Sequence, residues 1–319
     1  MSKIDVLIPE KKKPSNLTDF LGDALNRISN EEMPWQTGRN VRMPVASNGK
    51  PISNINYLLL VDKGDDHRWG YFRDYANLGA HIKKGEHATF GVHWRQFNKP
   101  TAEEIAEQES GKPVTSKQKV SVRKPVAVPY FNRAQSSLEP EALPGIDLNN
   151  AMMQIEDIAM NAGLSFSDEP MELAYDGDVV YANVNEVTPE AIGKAVFGLV
   201  DWSMDDRNKL ASNQDESPKA RQMMVRAIAG SMLCSEFGVP VPNDVMQTMA
   251  FTKTEALAYF GEHKDELFKA CKQASDLRQF VLQYSPSNEA EQALLAEAEV
   301  DESENNLTPK PQPNSLFGA

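Results

Sequence analysis

Cysteine and long apolar stretches are scarce in this chain of 319 residues. Its two cysteines, Cys234 and Cys271, lie in helical-looking segments, which argues against a disulfide framework and a cysteine-based zinc site. No run reaches the roughly 18 consecutive apolar residues of a membrane helix. The first residues contain no signal-peptide core. We therefore expect a cytoplasmic protein without a membrane segment.

Histidine, a common metal ligand, is also sparse. Three of the five histidines, His81, His87 and His93, recur every six residues in the front half. They fall across a turn and a strand, so the spacing is only a weak indication of a shared metal. The second half has one histidine, His263, with no ligand at the i, i+4 spacing beside it. No cofactor is expected.

Positive charge is concentrated in the front of the chain. Residues 1–140 contain 21 Lys and Arg against 16 Asp and Glu, a net charge of +5. Residues 141–319 contain 12 against 30, a net charge of −18. Such an asymmetry is typical of two domains with different partners. The positive excess is small, so a nucleic acid would bind through a local patch.

Aromatic residues and cations alternate in one stretch of the front half, from His67 to Phe97. Rings on which bases can stack, interleaved with cations that follow phosphates, are typical of a surface that binds single-stranded nucleic acid. The alternative is a helix and hairpin whose rings are core. Composition alone favours this alternative, because aromatic side chains are usually buried.

Periodicity and turn residues predict short elements in the front half. The predicted segments are a basic lead over 1–14, a helix over 17–28, a loop of turns over 33–54, a buried helix or strand over 55–61, a helix over 71–78, and strands over 88–97 and 122–132 around a mobile insertion over 99–121. Pro125 and Pro129 lack their N–H groups on the same side, which predicts a strand at the edge of the sheet.

Helices dominate the second half, which follows a turn-rich linker over 138–147. The predicted segments are a helix over 148–162, a strand pair that turns at Asp176-Gly177, a helix that starts at Thr188-Pro189, a helix that starts at Ser217-Pro218, a helical region over 254–284, and a disordered acidic tail over 285–319. The fold class is α+β, with a front α+β domain over 15–137 built on a hairpin sheet and a mainly helical domain over 148–284.

The front half contains a series of short motifs, each of which occurs once. They are Pro34-Trp35, Asn48-Gly49-Lys50-Pro51, Asn54-Ile55-Asn56, Leu58-Leu59-Leu60, Arg68-Trp69, Phe72-Arg73, Leu78-Gly79-Ala80, Ile82-Lys83-Lys84-Gly85-Glu86, Val92-His93-Trp94, and Tyr130-Phe131-Asn132 with Gln135. Their order and spacing resemble those of the N-terminal, single-stranded-DNA-binding domain of ArdC-like antirestriction proteins, which also occurs in some plasmid primases. One departure is Ser53-Asn54, where the family usually has Tyr/Arg-Arg-Gly.

Two helical segments of the second half match the positions of a metallopeptidase motif without its residues. The run from Phe197 to Trp202 aligns with the HExxHW helix of the family's zincin-like domain, and Ala227 aligns with its downstream glutamate ligand. The resemblance puts Phe197 and Asp201 at the histidine positions and Gly198 at the general base. Because catalytic zinc needs three protein ligands and an activated water, we expect a degenerate, non-catalytic zincin-like domain that lacks the metal site.

The resemblance implies that the protein binds single-stranded DNA of a plasmid or phage and protects it from host restriction. The candidate DNA-binding residues are Trp35, Arg39, Arg42, Asn56, Arg68, Trp69, Arg73, Lys83, Lys84, His93, Trp94, Arg95, Phe131 and Asn132. Trp and Phe rings would stack on bases and cations would contact phosphates. The two asparagines could bond the strand or hold local turns. On the hairpin, we expect Thr89, His93 and Arg95 to face the DNA, with Phe90 and Val92 buried.

Two other functions are compatible with the sequence. The acidic second half could bind a basic host defence protein, as a DNA mimic, while Leu316-Phe317 in the tail recruits a replication partner. The third possibility is an active zinc metallopeptidase, which the residues at Phe197, Gly198 and Asp201 disfavour.

Overall fold

The structure, a computed structural model, describes residues 17–99, 120–140, 147–169, 175–205, 219–250 and 252–286. The basic lead, most of the insertion and linker, Ser217-Pro218 and nearly all of the tail lie outside the described residues. Within these ranges, no helix has the length and apolar character needed to cross a membrane.

The front half alternates short helices with the strands of one sheet. Its elements are α1 (Leu17–Ser29), α2 (Pro34–Thr37), β1 (Val45–Ala46), α3 (Ile55–Leu60), β2 (Arg68–Gly70), α4 (Phe72–Asn77), β3 (Thr89–Lys99) and β4 (Val120–Asn132), followed by a 3-10 turn (Arg133–Gln135). The sheet has the order β1-β2-β4-β3, in which β3 and β4 are a long antiparallel pair. The ambiguous run at 55–61 is a buried helix.

The second half is mainly helical. Its elements are α5 (Leu148–Asn161), β5 (Ser165–Ser167), β6 (Tyr175–Asp176), β7 (Val179–Tyr181), α6 (Pro189–Met204), α7 (Lys219–Phe237), α8 (Asn243–Ala250), α9 (Thr252–Glu262) and α10 (Lys264–Leu282). The three short strands form a second sheet in the order β5-β7-β6. The predicted α+β class is confirmed.

Strand β4 lies at the sheet edge over only part of its length. Pro125 and Pro129 pair with β3, and in the described part of the chain no strand lies on their other side. The last two residues, Phe131 and Asn132, pair with β2, so that end is interior to the sheet. The prediction of an edge strand is therefore wrong for this end. Phe131 and Asn132 follow the prolines and have backbone N–H groups, so β2 can pair with them.

Helix α1 is held by an apolar stripe and one buried cation. Its buried apolar residues are Phe20, Leu21, Ala24, Leu25 and Ile28. Arg27 donates from Nη1 to the carbonyl of Leu58 over 2.6 Å and from Nη2 to that of Val61 over 2.8 Å. These carbonyls end α3, and helix ends leave such groups without partners of their own. Arg27 therefore joins α1 to α3.

The two halves share one continuous hydrophobic core. Tyr57 of α3 is fully buried, and its hydroxyl oxygen lies 2.9 Å from Ser231 Oγ and 3.3 Å from Ser235 Oγ of α7. Burial raises the pKa of Tyr57, so the hydroxyl stays protonated. The backbone N–H of Asn54 donates to Ser275 Oγ of α10 over 2.7 Å. The packing of the front half thus depends on residues far along the chain.

Helix starts and turns of the second half follow the predicted signals, with two exceptions. Thr188 Oγ1 accepts a hydrogen bond from Ala191 N over 3.1 Å, which is the expected N-cap before Pro189. Gly177 has φ +65° in the turn between β6 and β7, a conformation that favours glycine. The region over 254–284 is two helices, because the backbone breaks at His263. The second exception is that the structure contains helix α8 and strand β5, which the sequence pattern does not predict.

Candidate nucleic-acid interface

Two of the four rings expected to stack on bases lie in the core instead. Trp35 is 5% exposed and Trp69 is 2% exposed, so neither ring has a face open to a nucleotide. Trp69 belongs to β2, which lies between β1 and β4. Trp35 belongs to α2, which packs against α7 and α8. The sequence around Trp35 shows no amphipathic pattern, because the helices that cover the ring come from the second half.

The other two rings are partly accessible. Trp94 in β3 is 40% exposed, although its ring centroid lies 5.5 Å from that of Phe268 in α10, which covers one side. Phe131 is half-buried at the end of β4. Trp94 is therefore the more open of the expected stacking residues.

Most of the expected phosphate contacts lie on the surface. The exposed ones are Arg39, Arg73, Lys83, Lys84 and Arg95, whereas Arg42 and Arg68 are half-buried. Arg39 Nη1 lies 3.1 Å from Asp62 Oδ2, which partly neutralises it. No ion pair within the described residues involves Arg73, Lys84 or Arg95. These three charges are available to a phosphate.

Arg95 and Lys124 lie directly opposite each other in the β3–β4 pair, and both are exposed. Directly opposite residues of antiparallel strands point to the same face, and like charges in such a pair repel each other. His93 is exposed on that face, whereas Val92 on the other face is buried and Phe90 is half-buried. The hairpin therefore presents a small basic surface, defined as His93, Arg95 and Lys124 and called the hairpin basic face below.

Asn56 and Asn132 bond the protein backbone. Asn56 donates from Nδ2 to Val92 O over 2.8 Å and accepts from Val92 N over 2.7 Å, which covers the outer edge of β3. Asn132 is buried, accepts from Asp66 N over 3.2 Å and donates to Asp66 O over 2.5 Å. Of the two roles expected for these residues, the structure places both in the role of holding local backbone.

Arg42 and Trp69 meet at a cleft of about 390 Å³ between residues 40–44 and 60–67. The lining also contains Asp62, Asp65 and Asp66. Against the cations Arg42 and Lys63, these three carboxylates leave the lining net negative, so the cleft is a poor place for a DNA backbone.

The positions that align with a zincin metal site contain almost no donor atoms. Phe197 is fully buried in α6, and its ring packs so closely on Gly230 of α7 that an added Cβ there would lie 2.3 Å from the ring Cζ. Gly198 and Ala227 have no side-chain donor. Over the described ranges, no group of three or more His, Cys, Asp or Glu side chains could hold a metal ion.

Asp201 is the remaining candidate ligand, and Arg226 binds both of its oxygens. Arg226 donates from Nε to Oδ1 over 2.5 Å and from Nη2 to Oδ2 over 2.9 Å. The guanidinium also lies 5.1 Å from the centroid of the Phe197 ring. Bidentate pairing and a cation–π contact both stabilise the cation here. Because a carboxylate bonded in this way is occupied, the residues present do not fit a zinc ion.

Two residues outside the predicted set belong to these regions, Arg226 and Phe72. No spacing signals the pair of Arg226 with Asp201, because helix packing sets which faces of α6 and α7 meet. Phe72 lies in the aromatic and cationic stretch and is 60% exposed at the start of α4. Composition alone favours a core role for the rings of this stretch, Phe72 included.

The comparisons with known proteins point to one family. The family model for the N-terminal domain of anti-restriction factor ArdC matches residues 14–130. A comparison with curated proteins gives no match. The front half thus matches a known domain over nearly all of its predicted length.

Solved structures extend the likeness to most of the chain. The metal-free crystal structure of antirestriction protein ArdC from plasmid R388 is 18% identical, with a TM-score of 0.63, covering 83% of this chain and 97% of that one. The Mn(II)-bound structure of the same protein is 18% identical, with a TM-score of 0.61, covering 85% and 99%. At this identity the likeness concerns the fold. With the domain match and this shared fold together, the resemblance found in the sequence is confirmed: the front half matches the N-terminal domain of ArdC, and the chain as a whole is similar to ArdC in fold.

Proposed function

We propose that this protein binds single-stranded DNA through its front half, in the cytoplasm, and counters restriction of plasmid or phage DNA. The match to the ArdC N-terminal domain supports this function. The observation that supports it most directly is the direct opposition of Arg95 and Lys124 on an exposed face. Two like charges held opposite each other lower stability, and a bound phosphate would offset the repulsion.

A partly accessible ring and available cations in the same half favour a single strand over a duplex. Unpaired bases can stack on aromatic side chains, whereas the bases of a duplex are already stacked on each other. Trp94 lies between His93 and Arg95 in β3, and its partly open ring is on the opposite face of the hairpin from the hairpin basic face, the face that it shares with Val92. Arg73 and Lys84 are exposed cations of the same half.

The proposal is tested by fluorescence anisotropy with the full-length protein and a labelled oligonucleotide, single-stranded or annealed to its complement. We expect tighter binding to the single strand and a large loss of affinity between about 50 and 200 mM salt, because phosphate contacts release counterions. Equal affinity for both forms, or affinity independent of salt, would contradict the proposal.

We also propose that the second half has no peptidase activity. The support is the set of side chains at the aligned positions, with Phe197 against Gly230 and both oxygens of Asp201 bonded to Arg226. The measurement is the zinc content of protein purified from cells grown with added zinc. We expect much less than one zinc per chain, and stoichiometric zinc would refute this part of the proposal.

A second candidate function, binding of a partner protein by the acidic half, is favoured by one surface. Met153 and Met160 are exposed seven residues apart on α5, with exposed Glu156 between them. Flexible apolar side chains beside negative charge suit a basic partner. A partner that co-purifies with the wild type, is released by salt and is lost with M153S/M160S would support this function. Retention of the same partner by the variant would count against it.

A further inference from the structure

Phe72 is a large aromatic side chain held out in solvent on a firmly anchored helix. It is 60% exposed at the first position of α4. The preceding residue, Tyr71, packs against Tyr130. Their ring centroids lie 4.9 Å apart and their hydroxyl oxygens 3.0 Å apart. The ring of Phe72 therefore has no comparable packing role in the core.

The backbone beneath Phe72 is fixed by contacts on both sides. The carboxylate of Asp74 accepts from Tyr71 N over 2.8 Å and from Ser47 Oγ over 3.0 Å. Tyr75 is buried and donates from its hydroxyl to Phe131 O over 2.9 Å. An exposed ring on such a base is preorganised, because little further ordering is needed when a ligand stacks on it.

Two exposed cations belong to the same region of the surface as this ring. Arg73 follows Phe72 directly and is exposed. The bond between Ser47 and Asp74 attaches the turn that contains exposed Lys50 to the same helix. Neither Arg73 nor Lys50 has an ion pair in the part of the chain that the structure describes. An exposed aromatic face with available positive charges in the same region suits a single-stranded nucleic acid, whose bases stack on rings and whose phosphates contact cations.

We infer that Phe72 is a base-stacking residue of the DNA-binding half, with Arg73 and Lys50 as the cations beside it. The inference rests on the proposed function. It replaces Trp35 and Trp69, which are buried, with a ring that a base can reach. The same helix offers a matched control, because Leu78 just after its end is also 60% exposed but has no aromatic face.

The experiment measures the affinity of full-length F72A, F72Y and L78A for two labelled oligonucleotides of equal length, one of thymidines and one of abasic sites. Stacking on one base contributes about 1–3 kcal/mol, or about 5- to 150-fold in affinity. We therefore expect F72A to lose about 5-fold or more on the thymidine strand, F72Y to restore affinity, and L78A to stay within about twofold of wild type. On the abasic strand, F72A and wild type should bind alike.

Several outcomes would overturn the inference. Equal losses for F72A and L78A, or an F72A loss that persists on the abasic strand, would indicate a general apolar contact. A shift of F72A to a smaller species in light scattering would assign the ring to contacts between copies of the chain. If wild type binds the thymidine strand with the expected salt dependence while F72A is unchanged, only this inference fails. If wild type does not bind, the proposed function fails with it.

Discussion

Asp201 on α6 and Arg226 on α7 form a two-point ion pair, and Asp201 is a position that the sequence resemblance aligns with a zincin metal ligand. Both side chains are about one-quarter exposed, at 24% and 25%. The pair joins two core helices, as a bridging cation would, but it does so with a side chain of the protein itself.

We expect R226M to lower the free energy of unfolding by about 1–3 kcal/mol, between the values for surface and buried pairs. The reason is that Asp201 keeps its partly desolvated charge and loses both hydrogen bonds. Urea unfolding measures the change. The control is K272M, which breaks the exposed pair of Lys272 with Asp276 and should cost no more than about 0.5 kcal/mol. Equal effects of the two substitutions would contradict the structural role of Arg226.

G230A should destabilise the protein by about 1–3 kcal/mol, because its Cβ would overlap the Phe197 ring in a tightly packed core. Combining it with F197L should recover part of the loss. The matched control is G22A in α1, where nothing lies within 4 Å of the added carbon. In a helix that substitution should add about 0.5–1 kcal/mol of stability. Thermal unfolding of the three variants is the measurement, and a G230A protein as stable as G22A would refute the contact.

N54G should stabilise the protein by about 0.5–2 kcal/mol. Asn54 has φ +57° and ψ −148°, a conformation that is almost restricted to glycine, and it occupies the position at which the resembling family usually has glycine. The hydrogen bond from its N–H to Ser275 is retained by glycine. Chemical denaturation compares this variant with N149G, which places glycine in α5 and should cost about 1 kcal/mol. Loss of stability in both variants would mean that Asn54 is unstrained.

Stability should fall below pH 4.5 in a way that depends on Glu32. The hydrogen bond from Arg27 lowers the pKa of Glu32 below its ordinary value of 4.5. A lowered pKa in the folded state stabilises folding above the unfolded pKa, and the contribution disappears as pH falls through the folded pKa. Unfolding followed from pH 6 to 3, roughly the range over which carboxylates protonate, should therefore show a shallower loss for E32Q. E156Q, on the exposed face of α5, is the control, and identical curves for wild type and E32Q would contradict the linkage.

K124E should separate stability from DNA binding. An opposite charge across from Arg95 turns repulsion into attraction, so the free energy of unfolding should rise by about 0.2–1 kcal/mol. The same change removes a phosphate contact, so affinity for single-stranded DNA should fall and the salt slope should decrease by about 0.7. K272E in the second half should alter neither DNA affinity nor slope. If K124E binds DNA as wild type does, the hairpin basic face is not part of the interface.

The sequence predicts local features well where the residues that determine them are close together in the chain. The apolar stripe of α1, the N-cap at Thr188 and the turn at Gly177 each depend on a few neighbouring residues, and each is found as expected. The alternation of β3 likewise predicts the burial of Val92. The run at 55–61 is ambiguous in the sequence because it is apolar almost throughout, and in the structure it is a helix buried partly by residues of the second half.

Long-range packing decides the features that the sequence could not predict. Trp35 lacks a local apolar pattern, yet α7 and α8 bury it. The pairing of Arg226 with Asp201 depends on the rotation of two helices about their axes, which spacing within either helix does not determine. The second neighbour of β4 is β2, and their paired residues Trp69 and Asn132 are 63 positions apart in the chain. In each case the missing information is a contact between distant segments.

The bond between Tyr57 and Ser231 makes the folding of the front half depend on the second half. Removing residues 141–319 would expose the hydroxyl of Tyr57 and the leucines of α3 that now lie in the shared core. Two segments joined in this way unfold together as one cooperative unit. The second half can therefore be under selection as a folding scaffold, even when none of its own chemistry is used.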